Sequence, residues 1–143
     1  MKVGKMKIAV NNLTKRATPP LECWLGDFLF FACQLGIIKF FQGELSVAII
    51  GEKRMAKLNE AYRKKKGSTD VLSFLYEKKK NYLEGELVFC PKVIERRGGQ
   101  NGLKIKEEWR RDFVHGMLHL LGWEHGEKMF FYQEKILELM KKK

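Results

Sequence analysis

Eleven consecutive residues, His115-Gly116-Met117-Leu118-His119-Leu120-Leu121-Gly122-Trp123-Glu124-His125, hold all three histidines of the chain, and their spacing dictates a local shape. His115 and His119 stand four residues apart, so a helix stacks their imidazoles on one face. Gly122 predicts the end of that helix, because a left-handed residue closes a helix C-terminus and glycine adopts that conformation freely. The chain can then turn back and present His125 beside the other two. Three imidazoles with one position left to water are the donor set of a catalytic zinc, whereas a structural zinc takes four protein ligands. Nickel and copper also accept three nitrogens, and spacing alone does not separate these metals.

The spacing H-x-x-x-H-x-x-G-x-x-H equals that of the long zinc-peptidase motif, but position 116 is glycine where the peptidases carry glutamate. That glutamate takes the proton from water beside the metal, so a peptidase reading lacks its general base. Gly116 predicts instead that something packs closely against the helix there, or that the cleft needs the space.

The chain is long enough to bury roughly two-thirds of its unfolded surface, so folding needs neither a metal nor a disulfide. A zinc in this motif is therefore expected to serve chemistry. Cys23, Cys33 and Cys90 are too scattered for a CxxC site and read as small core residues of a reduced, cytoplasmic protein. No run of 18 apolar residues occurs and the start, Met1-Lys2-Val3-Gly4-Lys5, does not lead into a secretory segment, so no membrane partner is expected. Twenty-eight basic against seventeen acidic residues give +11, a surface suited to nucleic acid. Lys64-Lys65-Lys66, Lys78-Lys79-Lys80 and Lys141-Lys142-Lys143 concentrate that charge.

Hydrophobic periodicity predicts strands at Lys7 to Asn11, Glu44 to Ile50, Asp70 to Phe74 and Gly85 to Phe89, with a turn from Lys78 to Leu83. Helices are predicted from about Pro20 to Leu35, with Leu21, Trp24, Leu25, Phe28 and Phe31 facing the core, and from Glu52 to Tyr62, where Met55, Leu58 and Tyr62 share a face. A short helix starts at Pro91, and Gly98 to Gly102 reads as a loop. The histidine helix begins near Lys104 with Ile105, Trp109, Phe113 and Met117 or Leu118 on its buried side. A last helix runs from about Glu127 to Met140 with Phe130, Gln133, Leu137 and Met140 on one side. The expected fold is α+β: one domain over residues 1–143, with a small, mostly parallel four-stranded mixed sheet packed against about five helices.

A second constellation precedes the histidines: Leu58-Asn59-Glu60-Ala61-Tyr62-Arg63, a lysine loop, and Thr69-Asp70-Val71-Leu72-Ser73-Phe74. Read by itself, Arg63 is a cation at a helix C-terminus and Thr69-Asp70 belongs to a turn. With Gly85-Glu86-Leu87-Val88 and the histidine block in the same order, the chain resembles the YbeY family of metal-dependent endoribonucleases. In that family glycine after the first histidine is usual. Trp123-Glu124 stands for the family's Tyr-Asp, Leu75 for a common proline, and Glu86 for a frequent aspartate. The resemblance implies that His115, His119 and His125 bind zinc and that Arg63 faces the metal across a cleft. It also implies a single-stranded RNA substrate, 16S rRNA trimmed at its 3′ end, and work beside the small ribosomal subunit or its assembly factors in ribosome quality control; DNA is not expected. Arginine suits that role because its planar fork grips a phosphate through two hydrogen bonds. The alternative is an rRNA-binding assembly factor whose metal is structural, supported by the lack of an evident general base.

Overall fold

The computed structural model describes residues 4–39 and 41–143. Its elements run β1 (Gly4–Asn12), α1 (Leu21–Gln34), β2 (Phe41–Ile49), α2 (Glu52–Arg63), β3 (Val71–Lys79), β4 (Tyr82–Phe89), α3 (Pro91–Gln100), α4 (Ile105–Leu120) and α5 (Glu127–Lys142). The strands form one sheet in the order β1-β2-β4-β3, parallel for β1 with β2 and β2 with β4, and antiparallel only for the β3–β4 hairpin. This is the α+β arrangement expected: a mostly parallel mixed sheet with five helices.

Alternation sorts the side chains between the two faces of the sheet. Leu45, Val47, Ile49, Leu83, Leu87 and Phe89 point to one face, where α1, α4 and α5 cover them with Leu21, Trp24, Phe28, Phe113, Met117 and Ile136. Leu72 and Val88 point to the other, where Met55 of α2 and Val93 of α3 close a smaller cluster with Ile50 and Cys90. Two glycines let α4 lie close to the sheet. A Cβ on Gly116 would stand 2.8 Å from Leu87 Cδ2 and 3.4 Å from Ser73 Oγ, and one on Gly85 would stand 2.9 Å from Leu120 Cδ2. Close packing, one of the two reasons anticipated for Gly116, is therefore the operative one, and a glutamate there would have to displace a fully buried leucine.

Several expectations need correction. The turn placed at Lys78 to Leu83 shrinks to Lys80-Asn81, and β3 and β4 extend to meet it. Glu77, Lys78 and Lys79 hid the strand because β3 is an edge strand and its outer half is exposed, so nothing there demanded apolar residues. Lys78 also has a tertiary task, its Nζ donating to the Leu121 carbonyl at 2.7 Å beyond the end of α4. Gly98 and Gly99 are helical, not loop; a Cβ on Gly98 would stand 3.4 Å from Glu108 Cβ, and Gly102, at φ +68, turns the chain. Ile105, expected on the buried side of its helix, is exposed; so are Phe130, on the side of α5 that also carries buried Gln133 and Met140, and Tyr62, on the face of α2 that carries buried Met55. Of the cysteines only Cys90 is a core residue; Cys33 is half-buried and Cys23 exposed.

Candidate metal centre

α4 ends as the glycine predicts. Gly122 adopts φ +93, its N–H donates to the His119 carbonyl at 2.9 Å, and the Trp123 N–H donates to the Leu118 carbonyl at 3.1 Å. These paired bonds close the helix and reverse the chain. Residues 121–126 then carry His125 back beside the last turn of α4 before α5 begins.

The three rings converge through the same atom. His119 Nε2 lies 3.0 Å from His115 Nε2 and 3.1 Å from His125 Nε2. Hydrogen bonding on the far side of two rings fixes what those atoms are. His115 Nδ1–H donates to Gln133 Oε1 at 2.7 Å, and His119 Nδ1–H donates to the Trp123 carbonyl at 3.0 Å. Burial pushes both imidazoles below the ordinary histidine value, with the neighbouring histidines adding to it, so both rings are neutral near pH 7. A neutral ring with its proton on Nδ1 has a bare lone pair on Nε2. Two such lone pairs facing each other at 3.0 Å repel unless a cation accepts them both, so the donor set fits a metal ion. Imidazole nitrogens of this kind suit zinc.

Gln133, on α5, was expected only to share a side of that helix with Phe130, Leu137 and Met140. Its amide nitrogen donates to Glu134 Oε2 at 3.3 Å, which turns its oxygen toward His115, and Arg111 holds Glu134 with two bonds of 3.0 and 2.8 Å. A chain of contacts thus runs from Arg111 through Glu134 and Gln133 to the ring of His115. Orienting partners of this type fix a ligand's tautomer and direction.

The histidines open into a cleft of about 980 Å³ that is also lined by Tyr62, Arg63, Lys65, Lys66, Ser73 and Phe74. Arg63 is the last residue of α2, and its charge is among the causes that disfavour protonation of His119. The sequence-predicted residues His115, His119, His125 and Arg63 therefore line one cleft.

A second cluster in the same cleft was not anticipated. Asp70, Glu108 and Asp112 are all buried, with one oxygen from each lying within 4.8 Å of the others. Burial, reinforced by Asp70 and Glu108, raises the Asp112 carboxyl to about 10, so it is a neutral acid at pH 7 that hydrogen-bonds Asp70. Glu108 is likewise pushed up, chiefly by burial. Arg97 Nη1 meets Asp70 Oδ2 at 2.9 Å and supplies the compensating charge. The sequence held one signal for this group: Glu108 and Asp112 precede His115 by seven and three residues, on the helix stripe that carries the histidines.

A family model described as Endoribonuclease YbeY matches residues 10–141 of the chain. Endoribonuclease YbeY of Methylococcus capsulatus is 41% identical over 88 residues, which are 59% of this chain and 59% of that protein. The protein of the same name from Nitrosococcus oceani is 33% identical, with 87% of this chain and 82% of the relative covered. That from Bdellovibrio bacteriovorus is 31% identical over 96% of this chain and 97% of its own. The fold is also similar to the solution structure of a Thermotoga maritima protein, with a TM-score of 0.57 over 94% of this chain and 87% of that one, at 22% identity.

Proposed function

This chain belongs to the YbeY endoribonuclease family, and on that premise we propose that it is a zinc-dependent endoribonuclease that cuts single-stranded RNA. We further propose 16S rRNA near its 3′ end as the substrate and the small ribosomal subunit or its assembly factors as the setting, in the cytoplasm, with residues 1–143 acting as one domain. In this reading His115, His119 and His125 hold the zinc and Arg63 is the catalytic cation. The observation that carries it is the convergence of three Nε2 atoms, two of them bare lone-pair donors, in a cleft also lined by Arg63, Lys65 and Lys66.

Zinc in such a site supplies Lewis acidity toward a phosphoryl oxygen and acidifies a water. The remaining work falls to the chain's own groups. Gln133 and the Trp123 carbonyl hold two rings at fixed angles, so the donor set is organised before substrate arrives. Arg63 offers a planar two-donor fork to a phosphate and neutralises the charge that develops on its oxygens during cleavage. Lys65 and Lys66, both exposed on the cleft wall, attract the flanking phosphates. The +11 charge makes association depend steeply on salt; with about four phosphate contacts, log affinity for a single strand falls by roughly 2.8 per tenfold rise in salt. No helix among the described residues is long and apolar enough to cross a membrane.

The decisive assay incubates metal-loaded protein with a single-stranded RNA and, separately, with casein, using His119→Ala as the control for contaminating nuclease. Cleavage of RNA alone, lost in the variant, is the expected result. Equal RNA cleavage by both proteins sinks the proposal, and cleavage of casein returns the peptidase reading.

A further inference from the structure

Tyr62 is a large ring left where a core residue belongs by periodicity. Met55, Leu58 and Tyr62 share one face of α2; Met55 is fully buried and Leu58 half-buried, whereas Tyr62 is 66% exposed. It projects past the sheet edge and touches Phe74 of β3 edge-to-face, with ring centroids 5.2 Å apart and planes at 77°. Phe74 is itself braced against the smaller core cluster, so it holds the tyrosine ring in a fixed position. The Tyr62 hydroxyl has no hydrogen-bond partner among the described residues. Both rings line the cleft that the histidines share.

The residues that follow the ring are cationic. Arg63, Lys64, Lys65 and Lys66 are all exposed, and none forms an ion pair among the described residues. Lys64 takes the left-handed conformation, φ +57, which ends α2 and turns the lysines along the cleft wall. A braced, solvent-facing aromatic beside four unpaired cations matches the two repeating parts of a single strand, a base with a flat face and a phosphate with a charge. A folded protein partner would be expected to meet an apolar patch without such a density of unneutralised cations. The charge therefore selects nucleic acid.

Building on the ribonuclease reading above, we infer that Tyr62 is a stacking platform for one RNA base, supported from below by Phe74, and that Arg63, Lys65 and Lys66 take the phosphates beside that base. The platform gives the cleft a preference for unpaired nucleotides that charge alone does not give, because a base inside a duplex has no free face to offer. It also sets the register of the strand relative to the histidines without reading its sequence, since every base has a π-face.

The test uses the full-length, metal-loaded protein with fluorescein-labelled oligouridylate, measured by anisotropy across a salt series, and with a matched oligonucleotide in which every base is replaced by an abasic residue. Tyr62→Ala should weaken binding of the oligouridylate roughly ten-fold while leaving the salt slope unchanged, and Tyr62→Phe should restore the affinity. Lys66→Ala, by contrast, should reduce the slope by about 0.7. The abasic strand should bind wild type and Tyr62→Ala equally. In cleavage assays Tyr62→Ala should raise KM more than it lowers kcat. Equal affinities of wild type and Tyr62→Ala for oligouridylate, with the thermal melt of the variant unchanged, overturn the platform while leaving the nuclease reading intact. Failure of the wild-type protein to bind either strand overturns both. Unchanged RNA affinity combined with loss of self-association in sedimentation assigns the ring to a second copy of the chain and likewise overturns the platform. Should Tyr62→Ala melt early, Tyr62→Leu keeps the bulk without the flat face, and oligouridylate affinity equal to wild type in that variant overturns the proposal.

Discussion

Two triplets of titratable groups line one cleft, each drawing two members from one stripe of α4, yet they handle burial in opposite ways. His115 and His119, with His125 from the loop, turn unprotonated nitrogens toward a common point. Asp70, Glu108 and Asp112 crowd their oxygens together away from water, with a proton on Asp112 and Arg97 on Asp70 easing the repulsion, while Glu108 Oε2 and Asp112 Oδ2 are buried with no hydrogen-bond partner among the described residues. Imidazoles lose their charge at little cost when desolvated and remain donors to a cation. Carboxyls must either keep a counter-charge or take up a proton. The histidine triplet is thus left open toward the cleft for an external partner, while the carboxyl triplet ties α4 to the start of β3 and to α3.

That contrast predicts different outcomes for substitutions only a turn or two apart. The largest effect is expected from His115→Ala or His119→Ala. Each should lower RNA cleavage by at least about 100-fold, since removing a ligand exceeds the loss from removing a ligand's partner, and circular dichroism should show an unchanged fold. Unfolding of both variants would break the comparison by making the histidines structural. Arg63→Ala should lower cleavage roughly 10-fold to 100-fold with zinc content by elemental analysis unchanged, and Arg63→Lys should recover only part of it because the ammonium lacks the fork. Equal efficiency of all three proteins would return Arg63 to a helix-terminal cation. Gln133→Ala, which frees the His115 ring to rotate, should reduce zinc affinity about 10-fold in a competition titration with a chelator.

The smallest effect is expected at Asp112, and it appears in stability. The folded-state carboxyl sits at about 10 against an ordinary 3.8, so the folded protein binds that proton more tightly than the unfolded chain does. Below about pH 4 both states are protonated and the contribution to stability is fully present; it is lost as pH rises toward 10. Asp112→Asn keeps the neutral form and removes that loss. Its melting temperature should exceed that of wild type by on the order of 5 °C at pH 8, with the gap closing toward pH 4. A lower melting temperature at pH 8 would show that Asp112 is ionised in the folded protein and that a cation, not a proton, compensates the cluster.

The two triplets also differ in how far the sequence displays them. The histidines lie within eleven residues, where helix geometry and a C-terminal glycine set their placement without reference to the rest of the chain. The carboxyls join Asp70 to residues some forty positions later, so their meeting depends on β3 docking against α4. Glu108 and Asp112 lie on the histidine stripe but read as ordinary solvent-facing residues until α3 and the loop before β3 cover them. The length of β3 was hidden for the converse reason. Its outer half carries Glu77, Lys78 and Lys79 because one edge of the strand faces solvent, and the hydrogen bond from Lys78 to the Leu121 carbonyl is invisible to any local pattern.

By itself the sequence determined the α+β order of strands and helices and the turn that brings His125 back to His115 and His119. Both of these follow from side-chain periodicity and backbone preference over spans of a few residues. Only the tertiary structure decided that Gln133 orients His115, that a side chain at position 116 would have to displace Leu87, that three carboxyls share a buried pocket, and that Tyr62 stays exposed instead of entering the core. Each of these depends on which face of one element meets which face of another. That relation is set by packing across the whole chain, where burial strips water from polar groups and leaves them to find partners far away in sequence.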